Sequence, residues 1–213
     1  MAIINNIDLT KLPLDSTGFA NLRNREQIYV DKTGIIADFA SLTGTFFLAR
    51  PRRFGKSLLV DTIKDLFLNG LKNFKGLNIE NKWRDTTYKV IVISFARYSM
   101  KNAEELKYIL ADELLQKIGF YEKVNQLCPN YNLIGPGDLL QKISEYIQDQ
   151  SLVLLIDEYD APLTYHLDNQ AEFSKILAVL QNFYFAIKEL STKFRFNYYW
   201  HNQSSTCFNI FCF

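Results

Sequence analysis

Short apolar runs without alternation recur along this chain, and each is followed by residues at helical spacing. The runs cover residues 45–49, 90–95 and 151–156. Strands that are apolar on both sides are typical of a parallel sheet covered by helices on its two faces. The pattern therefore predicts an α/β fold with three layers and a mostly parallel sheet, in which binding sites form at the carboxyl ends of the strands.

The segments between these runs carry helical patterns with recognisable ends. One helix is predicted to begin after Gly55 and to end at Gly70, because glycine is a common helix stop. Asp138 is placed to cap another helix. Further helices are predicted over residues 34–41, 106–118 and 170–190, and residues 27–30 are a candidate for a short strand.

Composition places the chain among ordinary globular proteins. Its 213 residues, 48% of them hydrophobic, suffice for one core of the usual size, and the net charge of +1 gives no argument for a nucleic-acid or membrane partner. The cysteines have no metal-binding spacing, which favours free thiols in a reducing compartment. Without a signal peptide or a membrane-length apolar segment, we expect a cytoplasmic protein.

A candidate phosphate-binding loop joins the first apolar run to the helix after it. Gly55, Lys56 and Ser57 fit the end of the pattern G-x-x-x-x-G-K-[ST], but Arg50 stands at the first glycine position. Lys56 would contact the β- and γ-phosphates of a nucleoside triphosphate, and Ser57 would ligate Mg²⁺. The alternative is a basic surface turn before a helix.

The loop departs from the usual pattern in ways that affect phosphate binding. Pro51 removes one main-chain N–H donor, and the side chains of Arg52 and Arg53 can offset that loss. The predicted nucleotide-binding residues are Arg50, Pro51, Arg52, Arg53, Phe54, Gly55, Lys56, Ser57 and Leu58.

Two carboxylates follow the last apolar run, in the sequence Leu-Val-Leu-Leu-Ile-Asp-Glu. Asp157 is predicted to hold Mg²⁺ together with Ser57, and Glu158 to orient and polarise the attacking water as the catalytic residue. Strand alternation would place the two carboxylates on opposite faces unless the strand ends there. The alternative is that both simply end a strand in solvent.

The segments 48–63 and 154–163 together resemble the AAA-ATPase-like family of bacterial predicted ATP-binding proteins. In those proteins a nuclease domain of the PD-(D/E)XK type often follows the ATPase domain. Residues 29–33, Tyr-Val-Asp-Lys-Thr, resemble the N-terminal signature of the family. The resemblance covers about residues 10–196. It implies a P-loop fold with ATP and Mg²⁺ as cofactors, and it identifies Arg50 as a variant typical of the family.

The character of the sequence changes after Phe196. The codons for residues 197–202 must read AAY-TAY-TAY-TGG-CAY-AAY, and a shift of one base gives Ile or Thr three times, then Gly, then Ile or Thr. That reading resembles the strand expected in the family. It predicts a frameshift, a P-loop domain over residues 1–196 that is incomplete at its C-terminus, and an out-of-frame tail over residues 197–213. This tail is expected to lie outside the sheet, and its removal is expected to cost little stability. The alternative is a natural divergent tail.

These observations predict an ATP-binding P-loop domain whose intact ancestor hydrolysed ATP with Mg²⁺. Slow or absent turnover is expected of the present chain. The alternative function is a non-catalytic interaction module or an inert gene product. The expected partner is a nucleoside triphosphate; membranes are excluded, nucleic acid ranks low for this fragment, and a homo-oligomer is left open.

Overall fold

The computed structural model describes residues 3–4, 7–13, 18–50, 55–83, 87–95, 98, 100–119 and 134–202. They belong to two compact units, Met1–Thr43 with Gly55–Tyr88 and Gly44–Phe54 with Lys89–Phe213. Each unit has its own architecture. The single domain expected over residues 1–196 stays a prediction.

The second unit contains a sheet of four parallel strands in the described part of the chain. The strands are Gly44–Arg50 (β3), Lys89–Ser94 (β4), Leu152–Asp157 (β5) and Phe194–Asn202 (β6). They lie in the order β3-β6-β5-β4. The α/β class and the parallel sheet predicted from the unbroken apolar runs are confirmed.

Three helices of the second unit bury one face of this sheet. Ile91, Ile93, Leu154 and Ile156 point from β4 and β5 into a core shared with these helices. The helices are Ala103–Ile118 (α4), Pro136–Ser144 (α5) and Gln170–Glu189 (α7), and a short helix, Ala161–Thr164 (α6), precedes the last of them. Alternate residues of each strand therefore face the opposite side of the sheet.

The first unit is helical, with an aromatic core. Its elements are the short antiparallel strands Ile3–Ile4 (β1) and Ile7–Asp8 (β2), and the helices Phe19–Asn24 (α1), Thr33–Ala40 (α2) and Lys56–Asn69 (α3). The ring of Phe19 lies 4.6 Å from that of Phe74, and the main-chain N–H of Phe19 donates to Oδ2 of Asp61 at 2.6 Å. A Cβ at position 18 would lie 2.6 Å from the same oxygen, so Gly18 allows α1 and α3 to meet.

Two local predictions are corrected. Residues 27–30 form no strand, and Val30 is 72% exposed. The helix α5 begins at Pro136, with Gly135 rather than Asp138 at its cap position. Proline is favoured at the first helical position because it has no N–H to leave unsatisfied. Asp138 therefore lies in the first turn, where its charge complements the helix dipole.

The expectation that residues 197–213 lie outside the sheet is wrong for residues 197–202. They complete β6, which lies between β3 and β5 with both neighbours parallel to it. Aromatic residues favour strands as β-branched ones do, so Tyr198 and Tyr199 suit this position and are both buried. Residues 203–213 lie outside the described residues. The frameshift itself stays a prediction.

Candidate functional site

The helix α3 begins at Lys56, directly after Gly55. Gly55 has a φ of +70°, in the left-handed region that strains residues with a Cβ. Nothing lies within 4 Å of a Cβ added there, so this backbone angle, rather than lack of room, is what favours glycine. As a glycine, Gly55 offers no side chain to cap the helix, which leaves the first-turn N–H groups suited to an external anion.

The predicted nucleotide-binding residues after Gly55 are in three different environments. Lys56 is only 9% exposed although its side chain is cationic, Ser57 is exposed and Leu58 is half-buried. Arg50 ends β3, and its side chain lies outside the described residues. Pro51, Arg52, Arg53 and Phe54 lie outside them altogether.

The predicted metal ligand and the predicted catalytic residue lie at the end of β5. Asp157 is the last residue of the strand, and Glu158 follows it with a φ of +53°. A positive φ in a residue with a side chain costs of order 1–3 kcal/mol, and such residues cluster at functional sites. Because the strand ends at Asp157, strand alternation does not determine the direction of the Glu158 side chain.

The sheet brings the start of the loop and the acidic strand end to the same edge. Ile156 of β5 and Phe47 of β3 both pair with Tyr199 of the strand between them. The strand β5, which ends at Asp157, therefore ends about two residues before the level at which β3 ends at Arg50. With one strand between them, β3 and β5 are about 10 Å apart, a separation that a nucleotide with its metal can span.

The predicted phosphate-binding residues of the helix start and the two predicted acidic residues belong to different units. Lys56, Ser57 and Leu58 are part of the helical unit, whereas Asp157 and Glu158 are part of the unit with the sheet. No group of three or more His, Cys, Asp or Glu side chains suited to a metal occurs among the residues that the structure describes. The shared Mg²⁺ site of Ser57 and Asp157 stays a prediction.

The segment after Glu158 is attached to the start of α4 by two side chains that sequence patterns did not indicate. Nε2 of His166 lies 2.9 Å from the carbonyl oxygen of Met100, and Oε1 of Glu172 accepts the N–H of Ala103 at 2.6 Å. The Ala103 N–H lowers the pKa of Glu172 below its usual value. Both contacts join residues more than 60 positions apart, and no local motif predicts them.

Ser94 is a third residue that the sequence did not single out. It ends β4 and pairs in register with Asp157. The only signal in the sequence is a polar residue near the end of an apolar run, because strand pairing is not visible in a single sequence.

No helix in the described part of the chain is long and apolar enough to cross a membrane.

Comparison with known families agrees with the motifs at this edge. The family described as Predicted AAA-ATPase matches residues 13–199. The chain belongs to this family. The resemblance found in the two motifs is thereby confirmed, and membership in a family of predicted ATPases supports nucleotide binding in general. The match ends at residue 199, three residues past Phe196 and within β6.

A relative of this AAA-ATPase-like chain occurs in Azotobacter chroococcum mcd 1, where it is described as an uncharacterized protein in the vnfD 5' region. The two are 31% identical over 191 residues, which is 87% of this chain and 36% of the relative. The chain thus spans about a third of the length of that relative. No solved structure matches the chain.

Proposed function

We propose that this chain is a P-loop domain that binds ATP with Mg²⁺. The main support is the topology of the sheet: the strand before the basic loop and the strand before the two carboxylates are parallel, with one strand between them. Both segments therefore leave the sheet at its carboxyl edge, where open α/β sheets bind ligands. Gly55 has a left-handed backbone angle and directly precedes a helix, which is a second feature of phosphate loops.

In this proposal the residues of the loop divide the work on the triphosphate. The first-turn N–H groups of α3 bind a phosphate, and Lys56 neutralises charge on the β- and γ-phosphate oxygens. Pro51 offers no N–H, so the guanidinium groups of Arg52 and Arg53 take its share of the phosphate contacts.

The residues present fit a magnesium ion. Mg²⁺ prefers oxygen ligands and usually takes one or two from the protein, with phosphate and water supplying the others. The Ser57 hydroxyl is exposed and the Asp157 carboxylate is half-buried, so both groups are accessible to water. When bound, the ion neutralises charge on the phosphates.

Glu158 gives the site hydrolytic chemistry. Its carboxylate is proposed to accept a proton from the attacking water and to orient that water toward the γ-phosphate. We expect slow turnover from the present chain, because the predicted frameshift replaces the carboxyl end of β6, the strand beside β5.

Calorimetric titration of the purified chain with ATP in the presence of Mg²⁺ tests this proposal. We expect saturable binding that Mg²⁺ strengthens, and much weaker binding of AMP, which lacks the β- and γ-phosphates. Equal affinity for ATP and AMP, or no heat of binding, would favour the second function, a scaffold that binds other proteins without ATP.

The remaining expectations about partners are part of the same proposal. The basic residues of the loop are assigned to phosphate, so they give no argument for a nucleic-acid partner. We further propose a cytoplasmic location, where ATP and Mg²⁺ are available and thiols stay reduced. A homo-oligomer is compatible with this function.

A further inference from the structure

One series of short turns runs from Glu158 to His166. The carbonyl oxygen of Glu158 accepts the N–H of Ala161 at 3.0 Å, and the helix α6 begins at Ala161. Beyond α6, the N–H of His166 donates to the carbonyl oxygen of Leu163 at 3.1 Å. Because α6 covers the residues between these two bonds, a displacement of His166 is transmitted through the helix to Glu158.

Two anchors hold this series of turns against the rest of the sheet unit. Leu163, within α6, is fully buried in the core shared with α4, α5 and α7. At the far end, Nε2 of His166 lies 2.9 Å from the carbonyl oxygen of Met100. A carbonyl oxygen only accepts, so Nε2 of His166 carries the hydrogen and donates it. Met100 is 3% exposed, which leaves water little access to replace this donor.

Glu158 depends on such anchors because its backbone angle is unfavourable. Its φ is +53°, and a residue with a side chain keeps an angle of this kind only where the surrounding structure holds it. The strand β5 ends one residue earlier, so the sheet does not hold Glu158 through its own ladder. The turns that follow Glu158 therefore determine where its carboxylate points.

We propose that His166 is a positioning residue for Glu158 and acts through α6. This inference rests on the proposed function, because it assigns Glu158 to the attacking water. When the bond to Met100 is lost, Leu163 keeps α6 in the core, but the far end of the segment is released and Glu158 relaxes toward a more favourable angle. The chemical step then slows while ATP binding is retained, since Glu158 acts on the water and not on the nucleotide.

The test measures ATP hydrolysis by this chain under single-turnover conditions, with ATP affinity measured in parallel by calorimetry. His166→Phe keeps a ring but has no N–H to donate. We expect its hydrolysis rate to fall about 10-fold at unchanged ATP affinity, because a catalytic group displaced by about 1 Å loses much of its effect. His166→Gln places an amide nitrogen near the position of Nε2 and should restore most of the rate.

Asn169→Ala is the matched control on the same segment. Oδ1 of Asn169 accepts the N–H of Glu172 at 3.2 Å at the start of α7, so its loss weakens the segment without removing the bond between His166 and Met100. Urea unfolding of each variant gives its loss of stability. A merely structural role of His166 would make the hydrolysis rate follow that loss in all the variants, whereas the proposed role makes it follow the presence of the N–H donor.

The possible outcomes separate this inference from the proposed function. If the unsubstituted chain does not bind ATP, the proposed function fails and the role of His166 fails with it. If it binds ATP without hydrolysing it, binding stands, but the roles of Glu158 and His166 in this chain are both overturned. If it hydrolyses ATP and His166→Phe keeps the rate, or His166→Gln slows as much as His166→Phe, only the role of His166 is overturned.

Discussion

The ammonium group of Lys117 donates a hydrogen bond to the main-chain carbonyl oxygen of Val92, on the outer edge of β4. The main-chain N–H of Lys89, the first residue of β4, donates to the carbonyl oxygen of Ser151, just before β5. The main-chain groups of Lys89 therefore face β5. Because these groups alternate in direction along a strand, those of Val92 face away from β5. Lys117 also pairs with Glu113 on the same helix. An edge carbonyl bound to a lysine is less available to a strand from another molecule.

Lys117→Met should therefore increase self-association through β4. Methionine keeps much of the aliphatic length of lysine but cannot donate to Val92, so the edge carbonyl becomes available. A hydrogen bond from a charged group is worth about 1.5–3 kcal/mol, and we expect the association constant to rise about 10-fold. Sedimentation velocity over a range of concentrations measures it. Lys107→Met is the control, because Lys107 on the same helix pairs only with Glu104; equal behaviour of both variants would contradict the prediction.

Lys56→Ala should weaken binding of ATP with Mg²⁺ by about 10-fold or more. A charge-assisted contact between lysine and phosphate is worth about 1.5–3 kcal/mol. Titration calorimetry measures the change. Lys64→Ala on the same helix is the control, because Lys64 pairs with Asp61 at 3.3 Å and belongs to no phosphate-binding pattern. Unchanged affinity in Lys56→Ala would remove Lys56 from the site.

Glu158→Gln should separate binding from chemistry in a chain whose reading frame has been restored. Glutamine has nearly the same shape as glutamate but cannot accept the proton of the attacking water. We expect ATP affinity to be retained while hydrolysis falls about 100-fold or more. Phosphate release under single-turnover conditions measures this. Hydrolysis at the original rate would leave Glu158 as a strained strand end and require another base.

Asp31 should stabilise the helical unit only while it is charged. Burial alone would raise the pKa of Asp31, but hydrogen bonds from the hydroxyl and N–H of Thr33 and the N–H of Asn78 outweigh it and lower this pKa below its usual value of 3.8. A carboxylate with a lowered pKa contributes stability above pH 3.8, and this stability is lost as the pH falls through the folded-state pKa.

Asp31→Asn should accordingly lower the free energy of unfolding by about 1 kcal/mol at pH 7. The difference from the unsubstituted chain should shrink below pH 3.8, where Asp31 itself becomes protonated. Urea unfolding at several pH values measures both. Asp38→Asn is the control, since Asp38 pairs only with Lys82 at 3.4 Å on the surface. A pH-independent difference would show that charge is not what Asp31 contributes.

Much of the fold could be predicted because local patterns determine it. Unbroken apolar runs predicted β3, β4 and β5, and glycines at residues 55 and 70 marked the two ends of α3. Other features depend on contacts between distant residues. Exposed Val30 resembles a strand residue in sequence alone, and the pairing of Ser94 with Asp157 follows from strand order, which one sequence does not contain.

The prediction that removing residues 197–213 costs little stability is reversed by the position of β6. Removal would leave only three residues of a strand that pairs with both β3 and β5. We now expect the truncated chain to lose cooperative unfolding, which circular dichroism during urea titration would detect. A cooperative transition with unchanged midpoint would show that the carboxyl half of β6 is dispensable.

Asn197 fits its position in β6 poorly. It is 2% exposed, its Oδ1 has no hydrogen-bond partner, and its Nδ2 reaches Oγ1 of Thr45 only at 3.4 Å. Leaving a buried polar atom unsatisfied costs about 1–3 kcal/mol. Reading the codon one base later places Ile or Thr here, either of which suits a strand. The predicted frameshift thus accounts for an amide in the middle of an apolar sheet.

Asn197→Ile should therefore raise the free energy of unfolding by about 1 kcal/mol, because it removes the unsatisfied oxygen and adds buried apolar surface. Urea unfolding followed by fluorescence measures this. Asn102→Ala should have the opposite effect, a loss of about 1 kcal/mol, since Oδ1 of Asn102 accepts the N–H of Glu105 at the start of α4.

Genomic DNA provides the second measurement: the shifted frame should continue open beyond these codons. Destabilisation by Asn197→Ile, together with an early stop in the shifted frame, would identify the present sequence of β6 as a natural one.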